Sequence, residues 1–264
     1  MTDAEWQRYL AVFHSHQPGV TERVLSRVGG SPYRWLVEPL FDVPGWVVDL
    51  ACGSAPTRDS LAENRWVGVD LSAGELAAAV AAGRRPVLLA RADALPFGDG
   101  AVDAVCAAMA LQVVTPLTRV LAETERILRP GGVLVALVPA RLRPSPRGWL
   151  EWARVLRALG ITNQRWPNPR ACDGLADVLS RHGFAVVSSE HRTFPFPLDS
   201  SDSAALLVDS LYVPGISMDR VAAAKRALGS RARPGRSLPV PLRRVVARRQ
   251  IGVPSQFVTA YSTR

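Results

Sequence analysis

The chain has 264 residues, 48% hydrophobic and 21% charged, a balance that supports a substantial core and excludes a chain disordered by composition. That length predicts one α/β unit rather than two full domains. The formal charge is +9, which on its own would point to a nucleic acid or a membrane surface. Only Lys225 among the 32 basic residues is a lysine, however, and this reads as a GC-rich coding bias rather than a patch selected for a partner. The charge is uneven: ten basic residues and no acid lie between Arg220 and Arg249, a run that most often forms a solvated face. Cys52, Cys106 and Cys172 are widely spaced and form no CxxC pair, so neither a disulfide framework nor a structural zinc is expected. No secretory leader and no bilayer-length apolar run is visible, and a soluble cytoplasmic protein is the expectation.

Residues 1–45 carry helical periodicity. Trp6, Leu10 and Phe13 recur at helical spacing, and Gly19-Val20-Thr21-Glu22 opens a second helix. The pattern changes at Trp46-Val47-Val48-Asp49-Leu50, a β-branched apolar run bounded by Pro44-Gly45 and Gly53, which predicts a buried parallel strand. A helix over Thr57–Asn64 and a strand over Trp66–Leu71 follow. Ser72-Ala73-Gly74-Glu75 has capping-box spacing and starts a helix through Ala82. Strands are predicted at Val87–Arg91 and Ala101–Met109. Thr115-Pro116 then caps a helix carrying Leu117, Val120, Leu121, Thr124 and Leu128, which Pro130-Gly131-Gly132 stops. Val133–Val138 is the next strand. Five βα units over 46–138 predict a mostly parallel sheet with helices on both faces. Beyond residue 139, the stretch 141–170 holds Pro144, Pro146, Pro167, Pro169, Trp149, Trp152 and Trp166, and reads as an insertion covering a site. A helix over Ala171–His182, a strand over Phe184–Glu190, helices and then an Arg/Pro-rich stretch over 200–250, and a terminal strand over Ser255–Ser262 complete the reading.

Four segments carry chemistry at fixed intervals. Asp49-Leu50-Ala51-Cys52-Gly53-Ser54-Ala55 ends the first strand, and its small residues let backbone approach a ligand closely. About twenty residues on, Val67-Gly68-Val69-Asp70 ends the second strand in a carboxylate placed to accept hydrogen bonds from ribose hydroxyls. Arg91-Ala92-Asp93-Ala94-Leu95-Pro96-Phe97 ends the third strand with another acid, and Arg129-Pro130-Gly131-Gly132 precedes the fifth.

These segments, in this order over 46–138, resemble the core of class I S-adenosylmethionine-dependent methyltransferases, particularly the small-molecule branch that includes quinone-biosynthesis enzymes. Asp49, Cys52 and Gly53 match the family's first motif, whereas Ala51 and Ala55 stand where it commonly has glycine. The resemblance implies a Rossmann-like, doubly wound, mostly parallel seven-stranded sheet with an antiparallel C-terminal strand, and S-adenosyl-L-methionine as cofactor. It implies a single domain, with 1–45 as a helical lid, 46–138 as the cofactor-binding core and 139–264 supplying substrate-side insertions and the last strands. It further implies cofactor contacts from Asp49, Ala51, Gly53, Ser54, Asp70, Leu71, Asp93, Ala94 and Met109, with Gly53 and its neighbours near the methionine part, Asp70 at the ribose and Asp93 and Ala94 at the adenine.

In-line methyl transfer rests mainly on positioning, with a general base needed only for an acceptor that must lose a proton. His14 and His16, in the segment that forms the lid in this family, and Gln112, just after the fourth strand, are the candidates for the catalytic centre; solvent-facing histidines are the plain alternative. His182 and His191 read as structural or surface positions. The Asn/Asp-Pro-Pro-Tyr/Phe and Pro-Cys motifs of nucleic-acid methyltransferases are absent, so a small-molecule acceptor is expected and nucleic acid is not. Missing GxGxxG glycines disfavour a nicotinamide dehydrogenase. The two alanines leave open a non-catalytic binding module, the basic 220–249 run an RNA- or DNA-associated methyltransferase, and the chain as a whole a homodimer.

Overall fold

The structure, a computed structural model, describes residues 1–141 and 146–251. Three helices come first: α1 (Asp3–His16), α2 (Val20–Leu25) and α3 (Pro32–Val37). Then follow β1 (Trp46–Leu50), β2 (Arg65–Asp70), α4 (Ala73–Ala81), β3 (Val87–Leu89), β4 (Val102–Ala108), α5 (Leu117–Ile127) and β5 (Leu128–Pro139). The C-terminal part adds α6 (Pro146–Leu159), α7 (Leu175–Ser180), β6 (Phe184–Pro197), α8 (Ser201–Asp209), α9 (Met218–Gly229) and β7 (Ser237–Arg249).

The strands form one sheet in the order β3-β2-β1-β4-β5-β7-β6. β1 to β5 are parallel neighbours, and β7 runs antiparallel to both β5 and β6. The sheet grows from β1 toward β3 on one side and from β4 toward β5 on the other. Ligands in open α/β sheets bind where this reversal leaves a crevice at the strand C-termini. Alternation along the central strands feeds two cores. Val47, Cys106 and Val135 face one side with Trp35, Phe196 and Leu242, and Val48, Val105 and Leu134 face the other with Leu121, Leu175 and Phe184. Burial on both faces explains why β1 reads as a continuous apolar run.

The expected seven-stranded, mostly parallel sheet with an antiparallel C-terminal strand is present, but several local expectations change. The helix expected over Thr57–Asn64 is a short 3-10 helix, Pro56–Ser60. Arg58 turns the chain by donating to the carbonyls of Leu61 and Asn64, so too few residues remain for a full helix. β3 reaches β4 through a loop, and five complete βα units are therefore not formed. Thr115 does not cap α5; its carbonyl and hydroxyl accept from Gln7 of α1. Pro130-Gly131-Gly132 is not a helix stop but an irregularity within β5, where Gly131 has φ +74 and the register against β4 shifts. The antiparallel strand beside β5 is β7, where the sequence shows only an Arg/Pro-rich stretch; the strand expected over Ser255–Ser262 lies outside the described residues. Pro239 and Pro241 disguise it. They fall in the part of β7 that extends beyond β5 and pairs with β6 alone, where a missing N–H is tolerated.

Ion pairs from α9, β7 and the loop between them account for much of the basic run. Arg231 and Arg236 converge on Glu151, Arg243 pairs with Asp173, and Lys225 with Asp209. Arg244 is buried against the Trp35 ring and bonds to Glu38 and Glu190. Partners on other elements absorb the charge of these five residues, which makes this half of the run a set of tertiary contacts. No helix among the described residues is long and apolar enough to cross a membrane.

Candidate active site

Two cavities open at the C-terminal ends of the parallel strands. The smaller, about 410 Å³, lies beside the β1, β2 and β4 termini and is roofed by α1. The larger, about 1120 Å³, is walled by α6, α8 and the start of β7. Thr21, Met109 and Tyr212 line both, so the two spaces meet at these side chains.

The first turn after β1 is built by conformation. Ala51, Gly53 and Ala55 all have positive φ, at 52°, 54° and 59°. The left-handed conformation costs an alanine about 1 kcal/mol relative to its usual basins, a cost the glycine avoids. Hydrogen bonds hold the turn: Cys52 N–H donates to the Val69 carbonyl, and Gly53 N–H donates to Asp70 Oδ2 at 2.8 Å. Gly68 permits this approach, because a Cβ there would stand 2.8 Å from Cys52 Sγ and 2.6 Å from the Trp66 ring.

Asp70 is the anchor of the smaller cavity. Its second oxygen accepts from Ser72 N–H at 2.8 Å, which leaves lone pairs on both oxygens for a ligand at the cavity wall. Burial pushes its carboxyl up from the usual range, against the two N–H bonds. Leu71 is exposed at the rim. Asp93 reaches the same wall with both oxygens held by Arg91, at 2.8 and 3.0 Å, and these bonds hold its carboxyl below the usual range. Ser54 lines the wall and donates to Glu22, which Arg84 clamps together with Asp59. Ala51, Gly53, Ser54, Asp70, Leu71, Asp93 and Met109 are thus brought to one cavity.

Four expected residues stand elsewhere. Asp49 is fully buried beneath the turn, bonded to Thr57, and does not reach either cavity. Ala94 lies off the wall, its N–H donated to the Arg91 carbonyl. Gln112 is fully buried and does not line a cavity; its Nε2 donates to the Met109 carbonyl at 2.7 Å and holds that residue, with φ +56, against both cavities. His16 bonds back to the Val12 carbonyl on the exposed side of α1. His182 and His191 bond to the carbonyls of Val178 and Arg141. The Cys52 thiol is buried and pushed well up, which removes it as a nucleophile.

His14 does lie at the smaller cavity, in company that the sequence did not reveal. Its Nδ1 stands 2.7 Å from Glu75 Oε1 and its Nε2 3.1 Å from the Tyr212 hydroxyl. Glu75 Oε2 accepts from Gly19 N–H at 2.9 Å. The expected capping box is only half formed: Ser72 accepts from Glu75 N–H, but the Glu75 side chain turns away to His14 and the Ser72 N–H goes to Asp70.

The model of the Methyltransferase domain family matches residues 48–136. A demethylmenaquinone methyltransferase of Renibacterium salmoninarum is 34% identical over 168 residues, spanning 60% of this chain and 69% of that protein. The chain belongs to the class I S-adenosylmethionine-dependent methyltransferases. S-adenosylmethionine is its cofactor. A malonyl-[acyl-carrier protein] O-methyltransferase of Alcanivorax borkumensis is 32% identical over 202 residues, 70% of this chain and 62% of that one. A Haemonchus contortus N-methyltransferase, solved with phosphomonomethylethanolamine and S-adenosylhomocysteine, shares the fold with a TM-score of 0.55 at 14% identity, covering 93% of this methyltransferase and 60% of that chain.

Proposed function

We propose that this methyltransferase binds S-adenosylmethionine in the smaller cavity and methylates a small, largely apolar molecule held in the larger one. The observation that carries the reading is the meeting of the two cavities at Thr21, Met109 and Tyr212. The smaller cavity fits the cofactor in size and in donor set. Its volume of about 410 Å³ lies in the range of small-ligand sites. Asp70 keeps lone pairs for ribose hydroxyls, the left-handed turn at Gly53 presents backbone where the methionine part would lie, and exposed Leu71 offers an apolar face beside the adenine position. Bound there, the cofactor supplies a sulfonium methyl group. The protein supplies alignment: Met109, fixed from behind by Gln112, and Tyr212 form the passage through which an acceptor atom would approach. Holding that atom in line lowers the barrier through positioning itself.

The larger cavity supports a small acceptor. Trp149, Trp152, Trp166 and Leu211 make much of its wall, and Trp152 is locked by donating Nε1–H to the Pro239 carbonyl at 2.7 Å. The test is transfer of tritiated methyl from S-adenosylmethionine into separate fractions of small molecules, RNA, DNA and protein from a bacterial extract. Label in the small-molecule fraction is expected. Label confined to the nucleic-acid or protein fractions would overturn the reading.

A further inference from the structure

From the line of contacts Glu75, His14, Tyr212 at the junction of the two cavities, we infer that the Tyr212 hydroxyl is the proton acceptor for a hydroxyl-bearing acceptor molecule, with His14 and Glu75 behind it. This rests on the larger cavity being the acceptor site.

Direction along the line follows from the donor inventory. Glu75 is buried, and its Oε2 already accepts from the Gly19 N–H. Its Oε1 faces His14 Nδ1 at 2.7 Å, and a carboxylate accepts, so the imidazole carries its proton on Nδ1. The Nε2 of that tautomer is then an acceptor. The Tyr212 hydroxyl, 3.1 Å away, donates its hydrogen to Nε2; the Thr21 hydroxyl is a further partner of its oxygen, which keeps one lone pair to accept from whatever occupies the junction. Tyr212 reaches both cavities, whereas His14 and Glu75 border only the smaller one. Tyr212 is held in place by edge-on packing against Trp6, Phe13 and Trp166, and Trp6 is itself pinned by its Nε1–H bond to the Val113 carbonyl at 2.8 Å. A polar string of this kind, backed by a buried carboxylate and packed in aromatic rings, is not required by the fold: α1 is already tied down by Trp6 and Gln7.

The chemistry balances. As the acceptor oxygen forms its bond to the methyl carbon and the carbon–sulfur bond of the cofactor breaks, the acceptor's O–H proton passes to Tyr212 oxygen. The Tyr212 hydrogen passes to His14 Nε2, and Glu75 stabilises the resulting imidazolium. The products are the methyl ether, S-adenosylhomocysteine and a protonated His14, which later releases its proton to solvent. An aliphatic amine would have to enter this tryptophan-rich cavity as an ammonium, whose burial is costly, and an aryl amine attacks through its free lone pair with no such string. A hydroxyl needs one, which is why the acceptor class is a hydroxylated and, from the tryptophan-rich wall, aromatic molecule.

The test uses binding, so it does not depend on finding the natural acceptor. The probes are 1-naphthol and 1-methoxynaphthalene, titrated into full-length protein saturated with S-adenosylhomocysteine and followed by tryptophan fluorescence. Wild type is expected to bind 1-naphthol roughly tenfold tighter than the ether, the value of one well-made hydrogen bond. Tyr212→Phe, which keeps the ring packing, should abolish that preference while the ether's affinity holds. Glu75→Gln supplies a second, independent outcome. Its amide oxygen still accepts from Gly19, but its NH₂ now donates to His14 Nδ1, which moves the imidazole proton to Nε2 and turns the Tyr212 hydroxyl toward the ligand as a donor. The preference should then fall by several-fold or reverse, a change that a merely structural Glu75 would not produce. Melting curves of both variants confirm folding. Equal binding of the two probes by wild type, or a naphthol preference that survives Tyr212→Phe, would overturn the proton string while leaving the acceptor cavity standing. Failure of both probes to bind would overturn the cavity reading and the string with it.

Discussion

Replacing Asp49 by asparagine removes a titration from the middle of the fold. The Asp49 carboxyl is fully buried; it accepts from the Thr57 hydroxyl, and the buried Cys106 thiol is its other side-chain partner. Burial pushes its pKa up to about 7, with the Asp70 charge adding to the rise and the Thr57 hydroxyl opposing it. In the unfolded chain the same group titrates near 4. Over the interval between these values the folded protein holds a proton that the unfolded chain has lost. Stability therefore falls as pH rises, by about 1.4 kcal/mol per unit, and across the whole interval the loss reaches about 4 kcal/mol. Between about pH 5.5 and pH 8 the wild type should lose about 2 kcal/mol relative to Asp49→Asn. For a chain of this size that is a relative melting shift of about 4–8 °C. Any constant cost of placing an amide beneath the turn drops out, because the comparison is of the two pH dependences. Thermal melts of both proteins at matched ionic strength measure it. A difference in Tm that stays constant across this range would refute the buried, proton-retaining carboxyl. Because Asp49 does not reach the cavity, S-adenosylhomocysteine affinity should be the same in both.

Three further substitutions test the site. Asp70→Ala removes two carboxylate acceptors for ribose hydroxyls and should weaken S-adenosylhomocysteine binding about a hundredfold by calorimetry; because the same oxygens hold Gly53 and Ser72, it should also lower stability by about 1–3 kcal/mol in urea melts. Gln112→Ala frees the Met109 carbonyl and should cost about 1–3 kcal/mol of stability, while the ratio of 1-naphthol to 1-methoxynaphthalene affinities stays at the wild-type value. Arg84→Met unclamps Glu22 and Asp59 and should increase the rate of limited proteolysis within residues 17–30 several-fold, with the sheet core still resistant.

The parallel core was legible because its strands are buried on both faces, and so their sequences are apolar and β-branched with a turn at each end. Asp70 was legible because a carboxylate ending the second strand falls at the crevice whatever else the chain does. Glu75 was hidden in plain view. The Ser72-x-x-Glu75 spacing has an ordinary local explanation, and only the arrival of α1 gives the side chain a better partner in His14. Tyr212 follows α8, nearly two hundred residues from His14, and no periodicity links them. Asp49 and Gln112 show the opposite error: one sits in the first motif and the other just after the fourth strand, yet Asp49 props the turn from below and Gln112 props Met109 from behind. β7 escaped detection because arginines and prolines lower the apparent strand character of a segment whose charges are met by Glu38, Glu190 and Asp173 on other elements.

On the proposed reading the cofactor occupies the space beside the β1, β2 and β4 termini. Amide hydrogen exchange with and without S-adenosylhomocysteine tests it directly. Slowed exchange is expected in the peptides covering Ala51–Ser54, Leu71–Glu75 and Arg91–Ala94, with little change across α6. Protection concentrated on Trp149–Trp166 at the larger cavity, or no protection at saturating ligand, would contradict it.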